Sequence, residues 1–186
     1  LGATGGARPG QVVVVEITQQ PGERQPPVGR VVEHPGKSGA PGMATEIAIR
    51  NFDLPWEWPE GVEAEAAAFG TAVSEAMVSG RRDLRDLPLV TIDGPDARDF
   101  DDAVFAQRRS NGWRLVVAIA DVSAYVKPGS RLDQEALKRA TAVYFPQRVI
   151  PMLPEALSNG LCSLKPDEER LCLVCDMSIN EAGTVT

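Results

Sequence analysis

The sequence predicts an α+β protein: a partial small β-barrel over residues 1–52, a linker with an amphipathic helix over 53–86, and the beginning of a mixed α/β domain over 87–186. Three observations carry this reading. Val12-Val13-Val14-Val15 is a β-branched run suited to a buried strand. Val62, Ala66, Phe69, Val73 and Met77 recur at helical spacing. Ala103–Gln107 and Trp113–Ala120 are apolar strand-like runs around Ser110-Asn111-Gly112, and Asn-Gly is a strong hairpin signal.

Taken in order, Gln11–Thr18 is the first expected strand and Val28–Glu33 the second, with the Pro/Gly-rich turn Gln20–Pro27 between them. Pro35–Pro41 reads as a loop, with His34 at its start as a turn residue. Glu46–Arg50 alternates well enough for a third strand. Leu54-Pro55-Trp56-Glu57-Trp58-Pro59 breaks the pattern, because two prolines exclude a central strand. Trp56 and Trp58 are read as anchors of the linker, with base stacking as the alternative. One helix of about four turns follows, stopped by Gly80 and the charged connector Arg81–Asp86. Leu87–Ile92 is strand-like, Asp133–Thr141 a short helix, and Leu171–Ile179 the last complete strand.

Bulk properties exclude some functions. The net charge of −7 argues against a module that grips nucleic acid by a general basic surface. An enzyme whose acidic centre is masked by divalent ions remains compatible with it. No apolar run approaches the roughly 20 residues needed to span a bilayer. Three cysteines, an odd number, argue for a reducing cytoplasm. Cys172 and Cys175 form C-x-x-C, but no second pair or nearby His completes a zinc site, so buried structural thiols are expected. The start at Leu1 and the strand-like ending Thr184-Val185-Thr186 read as a fragment of a longer polypeptide.

The chemistry concentrates at residues 91–103, where Asp93, Asp96, Asp99, Asp101 and Asp102 fall within ten positions beside one Arg98. Two carboxylates about 4 Å apart repel by roughly 4 kcal/mol at an effective dielectric of 20. Apolar strands on both sides limit how far this loop can splay. Asp99 and Asp101 share a face in extended backbone, and the Gly-Pro after Asp93 can turn its carboxylate toward them. Magnesium accepts one or two carboxylates plus waters and substrate phosphate, so it suits this cluster. Four carboxylates can also support two ions about 3.5–4 Å apart. A solvated acidic turn is the bland alternative. A calcium loop fails in either register: counting from Asp99 puts Ser110 at position twelve, and counting from Asp93 puts Pro95 and Ala97 at ligand positions. Asp99-Phe100-Asp101 also satisfies the short pattern of an aspartyl phosphotransferase, with poor specificity.

Leu87–Val104, Trp113–Ser123, Val143–Pro146, Val149–Pro154 and Leu157–Leu164 together resemble the RNB exoribonucleases, in the family's order. Val12–Phe52 resembles the later part of a cold-shock-type OB domain, which precedes the catalytic domain in such enzymes. The resemblance implies magnesium-dependent hydrolysis of single-stranded RNA from its 3′ end to nucleoside 5′-monophosphates. By position, Asp93, Asp99, Asp101 and Asp102 match the family's metal-binding aspartates, Asp101 being the one most critical for turnover. Tyr144 matches the aromatic that packs on the terminal nucleotides; read without the family, it is a core aromatic. A downstream arginine and glutamate of the family's active site lie beyond Thr186, so these residues alone are expected to be inactive. A monomer without membrane attachment is expected. A non-catalytic RNA-binding module is the alternative function. Asp121 reads as an end-of-strand turn or cap, and Arg98 could pair with its neighbours or meet phosphate.

Overall fold

The computed structural model describes residues 4–186. In chain order the elements are β1 (Gln11–Gln19), β2 (Val28–Lys37), α1 (Met43–Asn51), α2 (Val62–Ala67), α3 (Glu75–Val78), β3 (Asp102–Arg109) and β4 (Gly112–Ala120). These are followed by α4 (Arg131–Arg139), β5 (Val143–Phe145), β6 (Arg148–Ile150) and β7 (Cys172–Ile179). The fold is mixed α+β with antiparallel sheets, as the sequence predicts. It divides into two compact units, one running to Glu57 together with Tyr144–Ile150, the other comprising Trp58–Val143 and Pro151–Thr186.

In the first unit β1 and β2 pair antiparallel, Glu16 opposite Arg30, with the register shifting at three places. The second strand runs on through Pro35 and Gly36, so His34 is a strand residue rather than a turn residue; its Nε2 lies 2.9 Å from the Gly5 carbonyl. The expected third strand Glu46–Arg50 is instead part of α1. Five alternating residues do not distinguish the two periods, and Ile47 and Ile49 diverge here: Ile49 is buried while Ile47 is 38% exposed. Glu46 and Arg50, four apart, pair at 2.6 Å along the helix. Among the described residues this unit therefore holds two short antiparallel sheets, β1-β2 and β5-β6, in place of a three-stranded run.

In the second unit β3, β4 and β7 form an antiparallel sheet in that order. Asp102 pairs with Ile119 at one end and Arg109 with Gly112 at the other, so Ser110-Asn111 is the two-residue turn. Gly112 sits at φ 129°, and a β-carbon there would collide with the carbonyl oxygen of Ile179 on β7. Gly112→Ala is expected to lower stability by about 2 kcal/mol, since both its backbone angle and its neighbour oppose a side chain. A denaturant melt that leaves the midpoint unchanged would contradict this.

The core gathers Val62, Ala66, Ala120, Tyr125, Leu132, Leu157, Leu161 and Leu171 under one end of the sheet. The single helix expected over 62–77 is two short ones. Gly70 adopts φ 75° and breaks the turn, and the apolar stripe is kept by bending: Phe69 meets Tyr125 edge-on, ring centres 5.3 Å apart. Leu87–Ile92 is not a strand either. Pro88 offers no N–H, and the segment contributes a single bridge, Val90 to Val104. Helix α4 begins two residues earlier than expected and ends at Arg139. Ser130 caps it, its Oγ accepting from the Asp133 N–H at 3.1 Å.

Candidate metal centre

The aspartate loop is closed at its base by two backbone bonds, Val90 N–H to Val104 O (2.9 Å) and Val104 N–H to Val90 O (2.8 Å). Gly94-Pro95-Asp96-Ala97 forms the expected turn, with the Ala97 N–H donating to Gly94 O at 3.0 Å. The chain then returns along residues 98–101 and enters β3 at Asp102. The end of the returning limb next to β3 is held by two backbone bonds: Leu164 N–H donates to Phe100 O (2.8 Å), and Ala120 N–H to Asp101 O (2.9 Å).

Asp99 is half-buried, whereas Asp93, Asp96, Asp101 and Asp102 are exposed. Although Asp101 is exposed, partial desolvation of its carboxyl, then the charges of Asp99, Asp102 and Asp93, pushes it above the usual carboxylate range. The carboxylates acting on Asp101 are thus those singled out with it, while Asp96 occupies the turn. Among the described residues no group of three or more His, Cys, Asp or Glu side chains is arranged to hold a metal ion. The donor set is nonetheless one of hard oxygens that repel one another, on a loop fixed at its base and along one limb. Such an open set fits magnesium, which takes few protein ligands and completes its shell with water and substrate phosphate.

Directly beyond β4, Asp121 is buried, and its carboxylate accepts from Arg81 Nη2 and from Ser123 Oγ, each at 2.6 Å. Burial pushes this carboxyl up, but the bonds from Ser123 and Arg81 outweigh it and hold the group below its ordinary value. Asp121 also caps the following turn, its carbonyl accepting from Ala124 N–H at 3.1 Å, as the sequence suggested. Its ion pair with Arg81 was not legible, since Arg81 reads as one charge in a solvated connector forty residues away.

Ser163 was likewise missed as a site residue. It is fully buried, and its Oγ donates to Arg98 O (2.7 Å) and accepts from Phe100 N–H (3.1 Å). A lone hydroxyl inside the apolar run Leu161-Cys162-Ser163-Leu164 was the available signal, because a buried hydroxyl needs partners. Arg98 itself is exposed, and its side chain lines an open cleft with Asn159 and Lys165.

Tyr144 lies in β5, within the first unit, and is 65% exposed, so it is not a core aromatic. The tryptophans are taken up by guanidinium groups. Arg50 and Arg148 stand 5.3 and 5.5 Å from the Trp56 ring centre, and Arg139 stacks 3.5 Å from that of Trp58. Of the thiols, Cys162 is buried, with its pKa pushed up to about 12 by desolvation, but Cys172 is half-buried and Cys175 exposed. The expectation of uniformly buried thiols fails because β7 turns Cys175 outward with Leu115, Val117 and Met177 onto a face that the core does not reach.

No helix among the described residues is long and apolar enough to cross a membrane. Comparison with known proteins gives a consistent picture. The chain is 60% identical over 177 residues to ribonuclease R of Acidithiobacillus ferrooxidans, covering 95% of this chain and 40% of that protein. It is 57% identical over 182 residues to ribonuclease R of Escherichia coli, covering 97% of this chain but 22% of the relative. The solved structure of Mycoplasma genitalium RNase R in complex with double-stranded RNA superposes with a TM-score of 0.88 at 31% identity, covering 95% of this chain and 32% of that one. The chain thus spans well under half the length of these relatives. A cold shock domain model matches residues 1–59. An RNB domain model matches residues 81–186, more than half of the sequence, and the chain belongs to the RNB family.

Proposed function

We propose that this chain supplies the metal centre of a magnesium-dependent exoribonuclease that hydrolyses single-stranded RNA 3′→5′ to nucleoside 5′-monophosphates. One observation carries the reading: the carboxylates of Asp99, Asp102 and Asp93 stand close enough to that of Asp101 to oppose its ionisation, on a loop closed at its base and pinned along its returning limb. A fold places repelling charges this way where a cation is to be held. Support for RNA as substrate comes from relatives named ribonuclease R, one of them solved with RNA.

In this reading Asp93, Asp99, Asp101 and Asp102 hold magnesium, and Asp101 is the residue on which turnover most depends. Bound magnesium supplies positive charge that lowers the pKa of an attacking water and stabilises a leaving 3′-oxygen. The pinned backbone at Phe100 and Asp101 spares the site reorganisation when the phosphodiester arrives. Tyr144 offers an exposed π-face to a nucleobase, a contact tolerant of sequence. Because the chain spans under half the length of its ribonuclease R relatives, residues 1–186 alone are expected to be inactive, and the whole enzyme to work as a cytoplasmic monomer.

The test is magnesium-dependent release of 5′-monophosphates from a 3′-labelled single strand by the full chain, abolished by chelator. Release that proceeds undiminished in excess chelator would overturn the metal reading. Tyr144→Ala should weaken retention of the shortest products by about 1–3 kcal/mol, the value of one stacked base. An unchanged product-length distribution would remove its assigned role.

A further inference from the structure

We infer that Ser163 is a positioning residue for the metal centre: its hydroxyl locks the backbone on both sides of Asp99 and so sets where that carboxylate stands relative to Asp101. The inference rests on the proposed metal site. The two hydrogen bonds of Ser163 Oγ go to the carbonyl of Arg98 (2.7 Å) and the N–H of Phe100 (3.1 Å). These groups lie on either side of Asp99, with only its φ and ψ between them. A neighbouring strand would ordinarily bond such a pair with its own N–H and C=O. Here one hydroxyl, donor and acceptor at once, does both.

The clamp is itself held. Leu157 and Leu161 are buried in the core on the short helical segment Ala156–Leu161, which is kinked at Gly160, and the chain leaving it delivers Ser163 with no exposed surface. Leu164 N–H continues the contact to Phe100 O at 2.8 Å. Arg170 donates from Nε to the Ser163 carbonyl at 2.8 Å, fixing it from behind. On the other side, Ala120 N–H pins the Asp101 carbonyl to the end of β4. Asp99 and Asp101 are therefore positioned by two separate attachments, one from the core turn and one from the sheet. Removing the hydroxyl takes away the bonds on both sides of Asp99 and deletes no carboxylate.

The experiment measures Mn²⁺ binding to the full chain by electron paramagnetic resonance, alongside thermal melting. Ser163→Ala is expected to weaken Mn²⁺ at least roughly tenfold, the usual cost of losing a group that orients a metal ligand. Ser163→Thr, which keeps the hydroxyl, should recover most of that affinity. Gly112→Ala is the control: it lowers melting from the end of the β3–β4 hairpin far from Asp102 and should leave Mn²⁺ affinity within about twofold. If Ser163→Ala binds Mn²⁺ like the parent, or no more weakly than Gly112→Ala, the inference is overturned while the metal centre stands. If the parent takes up no Mn²⁺ at all, the metal centre falls and the inference with it.

Discussion

Asp101→Asn in the full chain should lose at least about a thousandfold in turnover, roughly 4 kcal/mol of barrier, while its affinity for single-stranded RNA holds or rises. The substitution keeps the shape of the side chain and removes one negative charge from the site proposed to receive a phosphodiester. Its stability signature separates a functional defect from a folding one. Burial, Asp99, Asp102 and Asp93 raise the Asp101 carboxyl above its ordinary pKa, so the folded protein resists ionising it. A neutral amide escapes that resistance, and the metal-free variant should melt at or above the parent. With excess magnesium the order should reverse, because the parent gains a ligand-binding contribution that the variant lacks. A variant that still cleaves at a comparable rate would remove Asp101 from its role.

The second large effect concerns stability. Arg81→Ala should destabilise by about 2–3 kcal/mol, lowering the melting temperature by roughly 4–12 °C for a chain of this size. The reason is what remains: Asp121 is 4% exposed, and without Arg81 its carboxylate keeps Ser123 Oγ as a side-chain donor but has lost its counter-charge. The figure sits below the usual cost of breaking a buried pair because the Arg81 side chain is itself 35% exposed, and solvent screens it. The pH dependence follows from the direction of the shift. Burial opposes ionisation of Asp121, but the Ser123 and Arg81 bonds prevail, so its folded pKa lies below the unfolded value near about 3.9. Stabilisation by this group is therefore complete above that value and is lost as pH falls through the folded pKa. Once Arg81 is gone, protonation relieves a buried charge instead. The stability gap between parent and variant should narrow below about pH 4, and a gap that stays constant down to pH 3 would contradict the assignment.

The aspartate cluster and the β3–β4 hairpin were legible because their signals are local. Five aspartates in ten positions announce a charge problem wherever the chain runs, and Gly-Pro and Asn-Gly report backbone preferences of their own residues. The misread elements share the opposite property. Glu46–Arg50 is too short for its period to show, and the apolar stripe from Val62 to Met77 is the same whether one helix or two bent pieces present it. Pro88 carried enough information to demote Leu87–Ile92 and was outweighed by its apolar neighbours.

What the sequence alone determined is the chemistry available: hard oxygen donors at Asp93, Asp99, Asp101 and Asp102, an α+β chain around them, and the family to which their order belongs. What only the tertiary structure decided is how those donors are held. Ser163 reaches Arg98 and Phe100 from more than sixty residues away, and Arg81 reaches Asp121 across forty. Neither contact has a periodicity or a spacing to betray it. A composition or a repeat describes what a residue is near along the chain, whereas positioning depends on which distant segment the core brings against it.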